Sequence, residues 1–303
     1  MRGDQLVWTV DLHRLRILCY HGVCEDRVAA EPWVPDCFVA ASAFERQMRY
    51  LRNNAQILPL SEAIERLYDG SLPPRAVSIT FDDGYANNLV IAAPILRQLQ
   101  LPATIFLSSA PIESGEFFPF LKVKFAQMYS RSDVTKHSTL QYKSSPLDLV
   151  MEEIDPFWKE IDAQISSDQR NTLRPLSTRE VAAIDSDLIE FGAHSHTHCI
   201  LRNESWKRRE EEILTSIAKV AQWTGRPVRL FAYPNGQRGD FGESDKDLLR
   251  AQGIVAAVSG IKGANGPHAD PLELRRYPVG LFHDMDGFRA EISGFRATVL
   301  SAL

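Results

Sequence analysis

Two adjacent carboxylates and a pair of histidines four residues apart are well suited to hold a metal ion. Asp82 and Asp83 precede Gly84 in the run TFDDG, and His194 and His198 bound the run HSHTH. Two imidazoles and one carboxylate suit zinc or another borderline divalent metal. Three protein ligands leave a position for water, as in catalytic sites. The spacing predicts a centre where one aspartate binds the ion and the other addresses the water.

The histidine pair can share one ion only where the backbone coils. Residues four apart are separated by about 13 Å along a regular strand and by about 6 Å on a helical turn. We therefore expect the chain to leave a strand near His194 and to coil by His198, with Thr197 and Asn203 as turn residues. His196, between the two, is expected to point away from the ion.

Polar groups follow directly on several apolar runs that resemble strands. Asp82 follows the run 76–81, the histidines follow 188–193, the run PNG follows 228–233, and His21 ends a first strand at 16–20. The carboxyl ends of parallel strands share one face, where active sites form. We therefore expect these four clusters, distant in sequence, to converge.

Helical patterns alternate with the strands over most of the chain. Ser42, Ser61 and Ser177 are predicted to cap three helices, and Gly70 to end the second one. The alternation indicates a parallel α/β fold, either a barrel or a doubly wound sheet. The rhythm lapses over 111–175, a largely helical insertion in a single catalytic domain spanning 1–303. This insertion is either a solvated excursion or a wall of the substrate cleft.

Composition excludes several classes of protein. The 303 residues carry 34 basic and 39 acidic side chains, for a net charge of -5. This balance lacks the basic footprint of a nucleic-acid partner. No apolar run reaches the roughly 18 residues of a membrane span, and the start has no secretory pattern, so we expect a cytoplasmic protein. The cysteines form no C-x-x-C pair and are interpreted as buried reduced thiols; they are Cys19, Cys24, Cys37 and Cys199.

Three motifs together resemble the polysaccharide deacetylase family, also called carbohydrate esterase family 4 or the chitooligosaccharide deacetylase homology domain. They are TFDDG at 80–84, HSHTH at 194–198 and FAYPNG at 231–236, in the family's order and spacing. The opening LCYHGV at 18–23 is similar to one large bacterial branch. The resemblance covers about 15–288. It implies a distorted (β/α) barrel of about seven to eight parallel strands, a divalent metal, and hydrolysis of N-acetyl groups on sugars.

The resemblance also implies roles for individual residues. Asp82 is the general base, metal-bound water is the nucleophile, and the ligands are Asp83, His194 and His198. Zinc is expected first, with cobalt, nickel and manganese as alternatives. The backbone N–H of Asn235 faces the oxyanion. The residues expected around the substrate and its oxyanion are Tyr85, Tyr233, Pro234 and Asn235.

Two features depart from the family's pattern. The third motif usually begins with arginine, whereas this chain has Ala232, so the usual partner of the base is missing. Arg275 or Arg276 could supply that charge from another strand. The family's late histidine motif is not evident, although His283 has about its position. His21, at a strand end, is the better candidate for the general acid that protonates the leaving amine.

The sequence thus predicts a metal-dependent hydrolase that removes N-acetyl groups from an N-acetylated sugar, oligosaccharide or polysaccharide, N-acetylglucosamine glycans above all. Two alternatives stay open: an amidohydrolase acting on a cyclic imide or ureide, and a non-catalytic carbohydrate-binding module. Binding alone needs neither the aspartate pair nor the histidine pair. A cytoplasmic location conflicts with polymers outside the cell, so either the substrate is a soluble or lipid-linked precursor or the chain start is incomplete.

Overall fold

A closed barrel of parallel strands forms the centre of the molecule in the computed structural model, which describes residues 12–129, 142–184, 187–280 and 284–293. In chain order, the strands are β1 (Arg16–Tyr20), β2 (Val23–Cys24), β3 (Val39–Ala40), β4 (Gln56–Ile57), β5 (Ala76–Phe81), β6 (Ala103–Leu107), β7 (Ile189–Ala193), β8 (Leu230–Ala232), β9 (Ala256–Lys262) and β10 (Leu274–Pro278).

Seven of these strands make up the barrel, in the order β1-β5-β6-β7-β8-β9-β10. The ring closes because β1 pairs in parallel with β5 on one side and with β10 on the other. Strand β4 adds a short pairing to the start of β5, and β2 and β3 pair with each other. The predicted α/β barrel of parallel strands is therefore confirmed, and the doubly wound alternative is wrong.

Helices surround the barrel. They are α1 (Ala41–Asn54), α2 (Leu60–Asp69), α3 (Ala93–Leu99), α4 (Ser109–Ser114), α5 (Pro119–Tyr129), α6 (Leu147–Asp162), α7 (Ser167–Leu173), α8 (Thr178–Ala182), α9 (Trp206–Thr224), α10 (Glu243–Ala251) and α11 (Met285–Ser293). Short turns of 3-10 helix occupy Asp26–Val28 and Leu201–Asn203, and a π turn, Asn88–Ala92, precedes α3. Within the described residues, no helix is long and apolar enough to cross a membrane.

The strands are apolar runs rather than alternating ones because both faces of the sheet are covered. Every residue of β1, β5 and β6 is buried. Side chains fill the interior of a barrel of this size while helices pack on its outside, so neither face meets water. At the carboxyl ends of the strands, by contrast, polar side chains can reach an open cleft.

Two predicted helix caps are wrong. The first turns of α1 and α2 start one residue before Ser42 and Ser61, and neither serine caps its helix. Distant carboxylates accept these N–H groups instead: Ser42 donates to Asp26 at 3.2 Å and Ser61 to Glu190 at 3.3 Å. An orphan N–H of a first turn needs an acceptor, which tertiary structure can supply as well as a local cap.

The described residues of the long connection between β6 and β7, which contains the predicted insertion 111–175, include the five helices α4 to α8. Apolar side chains of α5, α6 and α7 form a second core with the segment after β1, whereas Ile112 of α4 and Val181 of α8 pack in the main core. Tyr85 joins this second core, with its ring 4.8 Å from that of Phe38 and 4.7 Å from that of Phe118. The connection is thus packed onto the barrel beside the end of β5.

Candidate metal centre

Three ligating side chains converge at the ends of β5 and β7. Oδ1 of Asp83 lies 3.0 Å from Nε2 of His198 and 3.5 Å from Nε2 of His194. All three residues are buried, yet this oxygen has no hydrogen-bond donor among the described residues. A buried carboxylate oxygen that faces two imidazole nitrogens without a hydrogen bond is the arrangement expected of ligands to one divalent cation. These residues fit the metal that the sequence predicts.

The hydrogen-bond partners of Nδ1 place the ring proton of each histidine on the side away from Asp83. Nδ1 of His194 is 2.8 Å from the carbonyl oxygen of Ala232, which can only accept. Nδ1 of His198 is 3.0 Å from the Tyr142 hydroxyl, which uses its proton on the carbonyl of His198 at 2.9 Å. Both Nδ1 atoms are therefore donors, and both Nε2 lone pairs are free for a metal ion.

The histidines meet because the chain coils directly after β7. Ser195 and His198 have positive φ values of 58° and 62°, and the rings of His194 and His198 lie 4.9 Å apart. Glu212 of α9 holds the turn by accepting the N–H groups of His196 at 2.9 Å and Thr197 at 2.7 Å. The expected coil is present and includes Thr197.

Two other polar residues of this region lie outside the centre. The His196 ring turns to Ser109, with Nδ1 2.8 Å from the serine Oγ, as expected of a residue between two ligands. Asn203, which we expected in the histidine turn, ends the 3-10 turn that follows it. That part of the prediction is wrong because the left-handed backbone of Ser195 and His198 already completes the turn.

Asp82 meets an arginine rather than the histidines. Nη1 and Nη2 of Arg276 each donate to one Asp82 oxygen at 2.6 Å, and Nε donates to the Ser259 carbonyl at 2.8 Å. Burial would raise the pKa of Asp82, but the Arg276 guanidinium outweighs it and lowers the pKa to about 2. Arg275, the other candidate, is exposed. Arg276 therefore supplies the charge that Ala232 lacks.

A left-handed turn separates the two carboxylates. Asp83 has φ 73° and Gly84 has φ 88°, so the chain reverses directly after β5. A Cβ at Gly84 would lie 2.8 Å from Cδ2 of Leu107, so both the space and the backbone require glycine.

Two further residues of the site are Cys19 in β1 and His21 directly after it. The sequence analysis identified His21 as a site residue but not Cys19. The Cys19 thiol is buried, with Sγ 3.5 Å from Oδ2 of Asp82. Burial raises the pKa of Cys19 well above its ordinary value and lowers the pKa of His21. Residues two apart on a strand share a face, so the parity of Cys19 with His21 could have revealed the thiol.

A cleft of about 430 Å³ opens over both aspartates. This volume lies within the range of small-molecule sites. The connection between β6 and β7 contributes Phe120, Val123, Tyr142 and Lys143 to its wall. The loop after β8 and the last strands contribute Asn235, Gln237, Gly260 and Pro278. The helical connection therefore forms one side of the cleft.

The residues expected around the substrate separate into two groups. The Tyr85 ring is fully buried in the second core, and the Tyr233 hydroxyl donates to the Leu272 carbonyl at 2.9 Å, so neither side chain lines the cleft. Pro234 is also buried. Asn235 reaches the cleft with φ 57°, and its N–H donates to no acceptor in the described part of the chain. His283 lies outside the described residues.

Comparison with known proteins agrees with this site and fold. The family model described as polysaccharide deacetylase matches residues 69–255, more than half of the chain. The chain belongs to the polysaccharide deacetylase family, whose members are carbohydrate N-deacetylases. The resemblance noted in the sequence is thereby confirmed.

Individual relatives match only in part. YxkH of Bacillus subtilis is 34% identical over 96 residues, and the poly-beta-1,6-N-acetyl-D-glucosamine N-deacetylase of Staphylococcus aureus is 34% identical over 80 residues. These matches cover 31% and 26% of this chain, and 32% and 28% of those relatives. The solved Streptococcus pyogenes deacetylase PplD superposes with a TM-score of 0.65 at 15% identity, over 92% of this chain and 98% of that one. At this identity the likeness shows the fold alone.

Proposed function

We propose that this protein is a metal-dependent hydrolase that removes N-acetyl groups from an N-acetylated glycan. The observation that carries the proposal is the division of labour between two adjacent aspartates. Asp83 faces two imidazoles at 3.0 and 3.5 Å, whereas Asp82 is held by Arg276. This geometry supports a role for Asp83 in binding a cation and for Asp82 in taking a proton beside it. A module that only bound glycans would need neither arrangement.

Asp83, His194 and His198 would hold the divalent cation. When bound, such an ion lowers the pKa of a coordinated water and polarises the acetamide carbonyl. Asp82 then accepts the proton of the attacking water. Arg276 keeps Asp82 ionised and fixes both of its oxygens, so the base stays in one orientation.

Two further groups complete the reaction. The N–H of Asn235 supports the oxyanion, since it reaches the cleft without an acceptor of its own. His21 passes a proton to the leaving amine. The low pKa of His21 favours a neutral ring at rest, so it must first receive that proton. A His21 nitrogen lies within 4.8 Å of an Asp82 oxygen. A small movement of either side chain would bring the two atoms within reach for Asp82 to pass its proton to His21.

The proposed substrate is a glycan of N-acetylglucosamine. The cleft combines the aromatic ring of Phe120 with hydrogen-bonding side chains of Tyr142, Asn235 and Gln237. Apolar faces with a few polar groups are typical of ligand sites. The Staphylococcus aureus relative is an N-deacetylase of poly-beta-1,6-N-acetyl-D-glucosamine, which supports the same sugar here.

Acetate release from short N-acetylglucosamine oligomers tests the proposal. Protein with added zinc or cobalt should release acetate, a chelator should abolish the release, and added metal should restore it. Absence of release from protein that binds one ion per chain would contradict the proposed substrate. Hydrolysis of a cyclic imide or ureide by that protein would instead favour the ring-amide alternative.

The two aspartate roles can be tested separately. Asp82→Asn should retain the ion and lose about 10²-fold or more in turnover, because general base catalysis contributes this much. Asp83→Asn should lose both the ion and the activity. Elemental analysis of the purified variants gives the ion content. If Asp82→Asn lost the ion and Asp83→Asn kept it, the assigned roles of the two aspartates would be contradicted.

A further inference from the structure

A second group of metal-ligating side chains lies beside the first, around the other aspartate. Cys19, His21 and Asp82 bring one sulfur, one imidazole nitrogen and one carboxylate oxygen within 4.8 Å of one another. Cys19 Sγ is 3.5 Å from Asp82 Oδ2. Nδ1 of His21 is buried without a hydrogen-bond partner among the described residues. Such an atom has lost water without gaining a partner, so a ligand there would satisfy it.

The chemistry of this group differs from that of the centre already described. Asp83, His194 and His198 offer nitrogen and oxygen only, whereas Cys19 adds sulfur. Thiolate together with imidazole favours zinc and its softer relatives. We propose that Cys19, His21 and Asp82 form a second, weaker site for a thiophilic divalent cation, zinc in excess or cadmium, and that its occupancy inhibits the enzyme.

Two features make this site weaker than the first. Arg276 already donates to both oxygens of Asp82, so an incoming cation competes with a guanidinium for the carboxylate. Cys19 must also release its thiol proton to solvent as the metal–sulfur bond forms, and burial opposes that ionisation. The second ion therefore binds only after the first site is filled.

Occupancy would remove two groups from catalysis at once. The ion would bind the oxygen with which Asp82 accepts a proton, and it would block the nitrogen of His21. This inhibitory effect rests on the proposed function, whereas ion binding does not. General acid–base groups contribute about 10² to 10⁴ in rate, so we expect turnover to fall by about 10²-fold or more.

Cadmium titration of the full-length, zinc-loaded protein tests the site. Bound ions are counted by equilibrium dialysis with elemental analysis, and the ultraviolet charge-transfer absorption of a cadmium–thiolate bond reports Cys19. The wild type should gain one further ion together with this absorption. Cys19→Ser should lose both and keep the first ion. Cys37→Ser is the matched control because that thiol lines the same cleft; it should behave as wild type.

Contrary results are equally definite. A wild type that gains no further ion, or an absorption that survives in Cys19→Ser and disappears in Cys37→Ser, would overturn the proposal. His21→Asn, which keeps the thiol, should weaken the second ion and leave the first one bound. If the second ion binds to a protein without deacetylase activity, the proposed function fails and the site stands. If the protein is an active deacetylase but binds a single ion, the second site fails and the proposed function stands.

Discussion

Asp82 and Asp83 are neighbours in the chain, yet each meets groups of a different kind. The backbone explains this, because Asp83 has left-handed φ and its side chain turns to the histidines while Asp82 stays in line with β5. The sequence suggested the pair but left open which of Arg275 and Arg276 would serve it. Strand parity decides, since Leu274 and Arg276 are buried and Arg275 between them is exposed.

The fork of Arg276 should matter more than its charge. Arg276→Lys keeps a cation but lacks the two parallel N–H donors that match the oxygens of Asp82, so the base would lose its fixed orientation. We expect turnover to fall on the order of 10²-fold, as misplacement of a catalytic group does, with the first metal site retained. Steady-state kinetics with ion analysis measures both. Arg275→Lys, on the exposed face, is the control and should change neither; equal losses in the two variants would refute the role.

Tyr142 should tune the metal from the helical connection. Tyr142→Phe removes the hydroxyl that accepts from Nδ1 of His198, and such outer partners are worth about 10- to 100-fold in metal affinity. Competition with a chelating dye measures that affinity. Tyr129→Phe removes a hydroxyl bonded to Gln169 in the same connection and should leave affinity unchanged. Unchanged affinity in Tyr142→Phe would leave the tyrosine a cleft-wall residue only.

At the scale of elements, the turn after β7 depends on a helix far along the chain. Glu212 of α9 is fully buried and accepts from two N–H groups and a hydroxyl of residues 196–197. The sequence predicted the strand, the coil and the helix, because each follows from local pattern. It could not predict that Glu212 connects the coil to α9, since a glutamate on a helix is usually exposed to solvent. The predicted caps of α1 and α2 were wrong for the same reason, because carboxylates distant in sequence accept the N–H groups there.

Glu212→Gln should loosen the turn without emptying the space. Either orientation of the amide turns its NH2 group toward donors, because Oε2 faces the two N–H groups and Oε1 faces the Arg208 guanidinium at 3.1 Å. Buried groups are then left unpaired, at about 1–3 kcal/mol. We expect lower thermal stability and weaker metal binding, measured by calorimetry and chelator competition. Glu211→Gln, next to it on the exposed side of α9, should be neutral. Wild-type metal affinity in Glu212→Gln would show that the turn after β7 does not depend on Glu212.

At the scale of the molecule, the proposed metal site links ion binding to folding. Asp83, His194 and His198 come from two strand ends, so the unfolded chain cannot present them together, and an ion bound there would stabilise the folded state by mass action. At free metal about 100 times the dissociation constant, the gain is about 2.7 kcal/mol. Thermal unfolding with and without a chelator should show it. His194→Ala, which lacks a ligand, should show no metal-dependent shift.

Acid should destabilise the metal-free protein over a defined range. The pKa of Asp82 is lowered from 3.8 to about 2, and that of Glu180, paired with Arg174, from 4.5 to about 2. Both groups bind protons more readily in the unfolded chain, so their contribution is present above pH 4.5 and is lost as the pH falls toward about 2. Chemical unfolding at several pH values measures this. Glu180→Gln should lose stability at neutral pH and show a shallower acid loss; a profile identical to wild type would contradict it.

A parallel α/β architecture was predictable, because alternating strands and helices restrict a chain to few topologies. The alternation alone did not distinguish a barrel from a doubly wound sheet, since the pairing of β1 with β10 that closes the ring joins residues that share no local pattern. The resemblance of the motifs to a known family indicated the barrel.

That closure also sets an order of events in time. On a ribosome, β1 can pair with β5 early, but its other edge stays open until β10 emerges some 250 residues later. Arg276 arrives on that same last strand, so Asp82 has no guanidinium partner until β10 has been made. A nascent chain that stalls before β10 therefore leaves two strand edges unpaired, which favours recognition by chaperones or proteases.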